Sequence, residues 1–275
     1  MNVPTLTTLR RRASVYGAFA AVVPKIYLAY SIWVWMQFIV SVITIAIFVA
    51  FWTAVYANQN TLSGLNLQQT LNYIILAQLF SPAVHAASTI YYFGDLINQG
   101  QIGIELLRPL DFQGATYANT AAQVVVGLVL QIPLAIVAWL LFHYQLPSDP
   151  LIWLAFLVTL ILGNALMFCF DWILSCAAFY STETWGLSVL RFAIATFFSG
   201  SLVPLVMMPG WLQTIAQVLP FSQALYVPVS LISGITPLSA MPRIWLIQFI
   251  YLVVLLFASR LVFRVAVKKV TVQGG

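Results

Sequence analysis

The segment Gly94-Asp-Leu-Ile-Asn-Gln-Gly100-Gln-Ile-Gly-Ile-Glu-Leu-Leu-Arg108-Pro-Leu-Asp111 holds half of the chain's six acidic residues and lies between two long apolar runs. Two glycines, at 100 and 103, precede the short run Ile104-Glu-Leu-Leu-Arg108. Pro109 ends that run because proline lacks the N–H that a continuing helix needs. The pattern predicts a short helix at the cytoplasmic membrane surface, with its leucines on an apolar neighbour and its charges toward water or a partner protein. The alternative is an ordinary polar loop between two spans.

The composition excludes a soluble globular protein. Of the 275 residues, 62% are hydrophobic and only 6% are charged, whereas soluble domains carry roughly a quarter charged residues. The sequence therefore predicts an all-α polytopic membrane protein, with one transmembrane domain over residues 1–275. The net charge of +5 lies mostly in the two tails. It indicates membrane orientation and predicts a lipid bilayer, not a nucleic acid, as the partner of these charges.

Six apolar runs are long enough to cross a bilayer, since a helical crossing needs about 20 residues. They are Ile32–Tyr56, Leu71–Phe93, Thr120–Phe142, Leu151–Phe170, Leu187–Met208 and Ile244–Phe263. Residues 94–118, between the second and third runs, are predicted to be cytoplasmic. Residues 5–24 have apolar side chains on one helical face and three arginines on the polar side, which predicts a helix lying in the membrane interface. The alternative there is a frayed basic tail.

A seventh apolar run, Trp211–Ser233, decides the topology. With six spans, ten of the 11 basic residues share one side and only Arg243 lies opposite. A seventh span would move four C-terminal charges across the membrane, against the positive-inside tendency. Pro220 and Pro228 also interrupt the run. We therefore predict that residues 209–242 form a re-entrant pair of short helices, which must be covered by protein or line a cavity.

The layout and three local strings resemble the permease subunits of ABC-type-2 exporters. The strings are Gly100-Gln-Ile-Gly-Ile-Glu-Leu-Leu-Arg-Pro-Leu-Asp111, Ser199-Gly-Ser-Leu-Val-Pro204 and Met208-Pro-Gly-Trp-Leu-Gln-Thr-Ile-Ala-Gln-Val-Leu-Pro-Phe221. They look like the daunorubicin-type, multidrug branch, in which two different permeases often work with one ATPase. The resemblance implies the transmembrane subunit of an ATP-driven exporter in a bacterial cytoplasmic (inner) membrane, with both termini cytoplasmic.

In that family the helix between spans two and three seats in a groove of a cytoplasmic ABC ATPase. Carried over to this chain, the ATPase-coupling contact falls on six residues, namely Gly100, Ile102, Glu105, Leu106, Leu107 and Arg108. An apolar plug with charges that fix its register suits such a contact. The resemblance also implies a second permease subunit, with a heterodimer favoured over a homodimer.

The sequence predicts that the chain itself binds no cofactor and is not an enzyme. It has no Gly-x-x-x-x-Gly-Lys-Ser/Thr string to cradle phosphates, so ATP and Mg²⁺ would bind to the partner ATPase. No metal site is predicted, because His85 and His143 stand apart from clustered carboxylates or cysteines. Cys169 and Cys176 lie about 10 Å apart along a helix, too far for a disulfide.

Asp171 and Arg191 are the charges nearest the bilayer core. They are candidates for an intramembrane pair between spans four and five, and a structural pair is favoured over one that couples transport. His85, near Pro82 on span two, suits a kinked helix better than a substrate path.

Two other functions compete with the exporter hypothesis. An ion-coupled carrier or channel needs rings or relays of charge at membrane depth, and the apolar runs lack them. A membrane-embedded lipid-modifying enzyme needs a carboxylate cluster, a nucleophile with its base, or metal ligands. With six acids spread along the chain and two lone histidines, no such group assembles.

The topology gives the first testable prediction. Both tails are expected to be cytoplasmic and residues 209–242 extracytoplasmic, because the basic residues lie almost wholly on one side of a six-span chain. A membrane-impermeant maleimide applied to intact cells should label a cysteine placed within 209–242 but not one placed at Val272. Labelling of position 272 from outside would rule out the six-span topology.

Overall fold

The computed structural model describes residues 21, 23–25, 31–85, 89–181 and 183–269. The predicted interfacial helix over residues 5–24 lies almost wholly outside them. Nearly all of the described chain is helical, and a single two-stranded antiparallel hairpin, Thr61–Leu62 with Leu65–Asn66, stands among the described residues. The predicted all-α membrane fold is therefore confirmed.

The α-helices follow in chain order with short connections. They are α1 (Ser31–Val55), α2 (Leu67–Phe80), α3 (Pro82–His85), α4 (Ile90–Asn98), α5 (Ile102–Leu107), α6 (Phe112–Leu130), α7 (Ile132–Phe142), α8 (Pro150–Ser175), α9 (Trp185–Phe198), α10 (Gly210–Val218), α11 (Pro220–Ala224), α12 (Tyr226–Ile232) and α13 (Met241–Ala266). Single 3₁₀ turns lie at Cys176–Phe179, Leu205–Met207, Leu238–Ala240 and Val267–Lys269.

Within the described residues, four helical stretches are long and apolar enough to cross a membrane. They are Ile32–Val55, Phe112–Phe142, Pro150–Phe179 and Leu238–Lys269. Two bent pairs, Leu67–Phe80 with Pro82–Asn98 and Gly210–Val218 with Pro220–Ile232, raise the number to six if each pair is one span. The four long stretches match four of the predicted runs. The predicted third run starts at Thr120, but its helix begins eight residues earlier, at Phe112, where Asp111 accepts a hydrogen bond from the Gly114 N–H.

The predicted second span, Leu71–Phe93, is wrong as a continuous helix. It is broken between Phe80 and Pro82, where Leu67–Phe80 and Pro82–Asn98 meet at an angle of 41°. The cause is local, because Pro82 has no N–H and cannot donate to the carbonyl four residues earlier. The predicted kink near His85 thus appears as a break in the helix.

The predicted fifth span, Leu187–Met208, is also wrong in extent. Helix α9 covers Trp185–Phe198, 14 residues, or about 21 Å, which is shorter than the roughly 30 Å hydrocarbon core. Gly200 then turns the chain with φ +83°, a conformation that glycine adopts without the Cβ penalty of other residues. The prediction overlooked Ser199-Gly200-Ser201, which interrupts the apolar run at this point.

The non-helical segment after α9 is buried and its backbone is satisfied by α2. The Tyr73 hydroxyl donates to the Gly200 carbonyl at 2.9 Å, and the Gln78 side-chain amide donates to the Ser201 carbonyl at 2.9 Å. Ser199 and Ser201 are almost fully buried. Irregular backbone at membrane depth is tolerated only where protein covers it or water fills a cavity, and α2 provides that cover.

Helix α8 lies at the centre of the molecule. Half of its apolar window is buried, compared with 11–17% for the other three long stretches. Helix α13 packs along it, and the Trp245 indole N–H donates to the Thr159 hydroxyl at 2.8 Å. The short helices α11 and α12 lie against it on another side, and most of their residues are buried.

The run Trp211–Ser233 folds as short helices, with a bend of 74° between Gly210–Val218 and Pro220–Ile232. The break coincides with Pro220, one of the prolines that led to the prediction. The side of the membrane from which this segment enters stays a prediction.

Close packing between α8 and α11 depends on Gly163. A Cβ at that position would lie 2.2 Å from the Gln223 carbonyl oxygen and 2.8 Å from the Ala224 Cα. Both are backbone atoms, so no side-chain rotation relieves the overlap. Gly163 therefore sets how closely the bent segment approaches the central helix.

Replacement Gly163→Ala is expected to destabilise the protein by about 1–3 kcal/mol, the usual range for overpacking a tight core. Gly186→Ala is the matched control, since that helical glycine has nothing within 4 Å of an added Cβ and alanine favours a helix. Thermal unfolding of both variants in detergent checks the prediction. Equal melting temperatures for the two would show that the contact at Gly163 is not tight.

Candidate functional site

The predicted ATPase-coupling segment forms a compact turn and a short helix. Helix α4 ends at Asn98, Gly100 follows with a φ of +69°, and the Gln101 N–H bonds back to the Leu96 carbonyl at 2.8 Å. Such a left-handed residue followed by a six-to-one hydrogen bond is a common end of a helix. Helix α5 then runs from Ile102 to Leu107. It stops at Arg108, which is extended because Pro109 follows.

Helix α5 has an inner and an outer apolar face. Ile102 is 4% exposed, and Leu106 packs against the same cluster of buried residues. Ile104 and Leu107 are 63% and 85% exposed and, three positions apart, lie on one face. The residues predicted to contact the ATPase therefore do not share one face, because Leu106 contacts the protein's own core. Ile104, absent from the predicted set, joins Leu107 on the outer face.

The two charges of α5 pair with each other. The Arg108 Nη1 lies 3.0 Å from the Glu105 Oε2, with the two side chains 46% and 19% exposed. Gly103 lies between the apolar faces with open space around it. The outer surface of α5 therefore combines two apolar side chains with one acidic and one basic group.

The inner face of α5 rests on a cluster of aromatic rings, which we name the basal aromatic cluster. Its members are Phe93, Phe112, Phe168, Trp172, Phe179 and Phe263. Neighbouring rings have centroids between 4.8 Å, for Phe93 and Trp172, and 6.2 Å, for Phe93 and Phe263, within the favourable range for aromatic pairs. The cluster joins α4, α6, α8 and α13 at the end of the molecule where α5 lies.

An ion pair ties the start of α6 to α13. Arg260 donates through Nη1 to Asp111 Oδ1, and through Nη2 to Asp111 Oδ2 at 2.6 Å. These hydrogen bonds lower the pKa of Asp111 from its ordinary 3.8. Such a carboxyl group stabilises the folded state at pH values above its ordinary pKa. That stabilisation is lost as the pH falls through the lower pKa of the folded state. The sequence analysis did not predict this pair, because 149 positions separate the two residues.

Asp171 and Arg191 lie together in the interior. Arg191 Nε donates to Asp171 Oδ1 at 2.9 Å and Nη2 to Oδ2 at 2.6 Å, and the two residues are 0% and 3% exposed. A two-pronged guanidinium–carboxylate contact is among the strongest protein hydrogen-bonding arrangements. The structure therefore brings together the two charges that the sequence identified as a candidate pair.

The same arginine also bonds to the backbone of the second span. Arg191 Nη2 donates to the Val84 carbonyl at 2.7 Å, and the His85 ring packs on Phe192 with centroids 4.8 Å apart. Val84 lies in α3, so the guanidinium joins α3 to α8 and α9. This contact supports a structural role for the pair and for His85.

A cavity of about 140 Å³ opens between α4, α5 and α6. Polar side chains of α6 form one wall in a row at helical spacing, namely Thr116, Asn119, Thr120 and Gln123. Glu105, Arg108 and Tyr92 line other parts of it. The sequence analysis missed this row, although its spacing of three and four residues within an apolar run was the signal that could have revealed it.

Removing one partner of the buried ion pair should destabilise the protein strongly. Arg191→Met alone leaves the Asp171 carboxylate buried without its counter-charge, which typically costs about 3–5 kcal/mol. The double variant with Asp171→Leu should recover much of the folded yield. Monodisperse protein after size-exclusion chromatography and its melting temperature measure both effects. A double variant less stable than Arg191→Met would argue against a compensated pair.

Comparison with protein families gives one match. The family described as ABC-2 family transporter protein matches residues 21–274, nearly the whole chain. No curated protein and no solved structure matched the chain. The family match agrees with the all-α membrane fold and with the resemblance noted in the sequence. The chain therefore belongs to the ABC-2 family of transporter proteins and is the permease component of an ABC transporter.

Proposed function

We propose that this chain is the transmembrane subunit of an exporter and that α5 couples it to a separate cytoplasmic ATPase. The observation that carries the proposal is the outer face of α5, where Ile104 and Leu107 are 63% and 85% exposed beside the Glu105–Arg108 pair. Apolar anchors next to charges that set register are typical of specific protein contacts.

The inner side of α5 supports transmission of force into the spans. Ile102 and Leu106 pack on the basal aromatic cluster, which joins four helices. Asp111, three residues after Arg108, is held by Arg260 of α13. A displacement of α5 by ATP-driven closure of the ATPase would therefore move α4, α6 and α13 together, as packed elements do in switching transitions.

The finer features of the exporter belong to the same proposal. The chain acts in a bacterial inner membrane with both termini cytoplasmic, as part of the daunorubicin-type, multidrug branch. A second permease, in a heterodimer, completes the substrate path, while ATP and Mg²⁺ bind to the ATPase. The basis is the resemblance of the quoted strings and the distribution of basic residues.

The buried charges favour an ATP-driven permease over an ion-coupled carrier. Among the described residues, the buried side chains that carry a charge at neutral pH are those of Asp171 and Arg191. The two charges neutralise each other at 2.6 Å. Ion-coupled carriers use chains of ionisable groups along the transport path, and one compensated pair does not make such a chain.

Truncation of the outer face tests the proposed contact. The double variant Ile104→Ala/Leu107→Ala should weaken ATPase binding by about thirtyfold or more, if the two side chains together supply at least about 2 kcal/mol. Co-purification of the ATPase and ATP-dependent transport in liposomes measure the loss. Glu105→Lys should also weaken binding, because it places two basic groups next to each other.

The matched control is Leu146→Ala/Leu151→Ala, which also removes two exposed apolar side chains. These residues lie near the start of α8, at the opposite end of that helix from the basal aromatic cluster. The control should keep full ATPase binding. Equal ATPase binding by the α5 variant and the control would refute the coupling role.

A further inference from the structure

The cavity behind α5 has the size and lining of a small ligand site. Its volume is about 140 Å³. A cavity of roughly 150 Å³ accommodates benzene, so this cavity has room for a group of about that size. Its wall combines apolar side chains, such as Leu110 and Ala115, with the polar row of α6. A ligand with a polar head and an apolar continuation fits such a lining.

The charged part of the wall carries both signs. Glu105 and Arg108 line the cavity, and their side chains are 19% and 46% exposed. An exposed ion pair of this kind contributes little to stability and is opened readily. A simple anion would face the Glu105 carboxylate, and a simple cation would face the Arg108 guanidinium. A ligand carrying adjacent positive and negative groups can pair with both.

The polar row of α6 adds hydrogen-bonding groups next to the charges. The Gln123 side-chain amide donates to Asn119 Oδ1 at 2.7 Å, which leaves the Asn119 amide hydrogens and the Gln123 carbonyl oxygen to bond a ligand. Thr116 and Thr120 lie on the same wall. From Thr116 to Gln123 the row extends about 10 Å along the helix. This length suits a head group followed by an ester-linked backbone.

We propose that this cavity binds the phosphoethanolamine head of a zwitterionic phospholipid from the cytoplasmic leaflet. The ligand's ammonium donates to the Glu105 carboxylate, and the Arg108 guanidinium donates to its phosphate. Asn119 donates to a glycerol ester oxygen. The choice of leaflet rests on the proposed function, which puts α5 at the cytoplasmic surface. A bound head contacts both α5 and α6, so occupancy holds the coupling helix against the spans.

Phosphatidylcholine separates this chemistry from general lipid binding. It carries the same charges, but its quaternary ammonium has no N–H to donate to Glu105. Phosphatidylglycerol has the phosphate without the cation. The full chain is equilibrated with equal amounts of the three lipids, with matched acyl chains, and retained lipid is measured by native mass spectrometry. We expect phosphatidylethanolamine to be retained about tenfold over either competitor, as the loss of a charge-assisted hydrogen bond implies.

Variants locate the site within the chain. Glu105→Gln and Arg108→Gln should each abolish the preference for phosphatidylethanolamine, while size-exclusion chromatography confirms folding. Asp95→Asn and Arg243→Gln are matched controls, because those exposed charges do not line the cavity, and they should keep it. Melting temperatures with and without phosphatidylethanolamine provide a second readout. Native protein should be stabilised, and Arg108→Gln should not.

Three outcomes would overturn the proposal. Equal retention of the three lipids, or a preference for phosphatidylglycerol, would exclude a zwitterion site. Loss of the preference in the control variants would place binding elsewhere. If soluble glycerophosphoethanolamine displaces the lipid at equal concentration, the ligand is a free phosphate ester and not a lipid. None of these measurements contains the ATPase, so failure of the lipid site and failure of the coupling contact are distinguishable.

Discussion

The structure depends on one constraint, which is that a backbone carbonyl released from a helix inside a membrane must find another donor. The helices are interrupted repeatedly, and at several of the breaks a side chain from another element donates a hydrogen bond to a backbone carbonyl. Tyr73 donates to the Gly200 carbonyl, Gln78 to the Ser201 carbonyl and Tyr251 to the Val218 carbonyl at 2.7 Å. These long-range contacts fix the broken segments in place, and they explain why polar groups occur in runs that are otherwise apolar.

The buried ion pair joins the second span to its neighbours. Arg191 donates to the Val84 carbonyl, and a guanidinium in the interior needs a counter-charge, which Asp171 provides from α8. The pair is thus part of the support of a broken span. At the middle of α8, close approach at Gly163 sets how near α11 of the bent segment lies to the same helix. The central helix therefore holds both irregular regions of the membrane domain.

Much of the fold could be predicted from the sequence, because composition, apolar run length and proline positions act locally. The positions of the four long helices, the break at Pro220 and the short helix before Pro109 came from such signals. The end of α9 at Phe198 was missed although the sequence signals it, because Ser199-Gly200-Ser201 interrupts the apolar run and a glycine just past a helix is a common stop. Contacts between residues distant in the chain could not be predicted, since no local pattern indicates that Asp111 pairs with Arg260 or which neighbours the two faces of α5 contact.

In the candidate site, the sequence predicted the helix but not which of its side chains face outward. The sequence identified α5, but it assigned Leu106 and Leu107 to the same role. The structure separates them, because Leu106 rests on the basal aromatic cluster and Leu107 is 85% exposed. Which face of a single helical turn is free depends on packing against α4 and the neighbouring cluster of buried residues, and no periodic pattern exists in six residues.

The most direct test of the coupling role is site-specific photocrosslinking in membranes that contain the ATPase. A photoreactive phenylalanine analogue replaces Leu107 in one variant, Leu106 in a second and Leu146 in a third. The coupling role predicts a crosslink to the ATPase from position 107 and none from positions 106 and 146. A crosslink from position 146, or none from position 107 in an assembled complex, would contradict it.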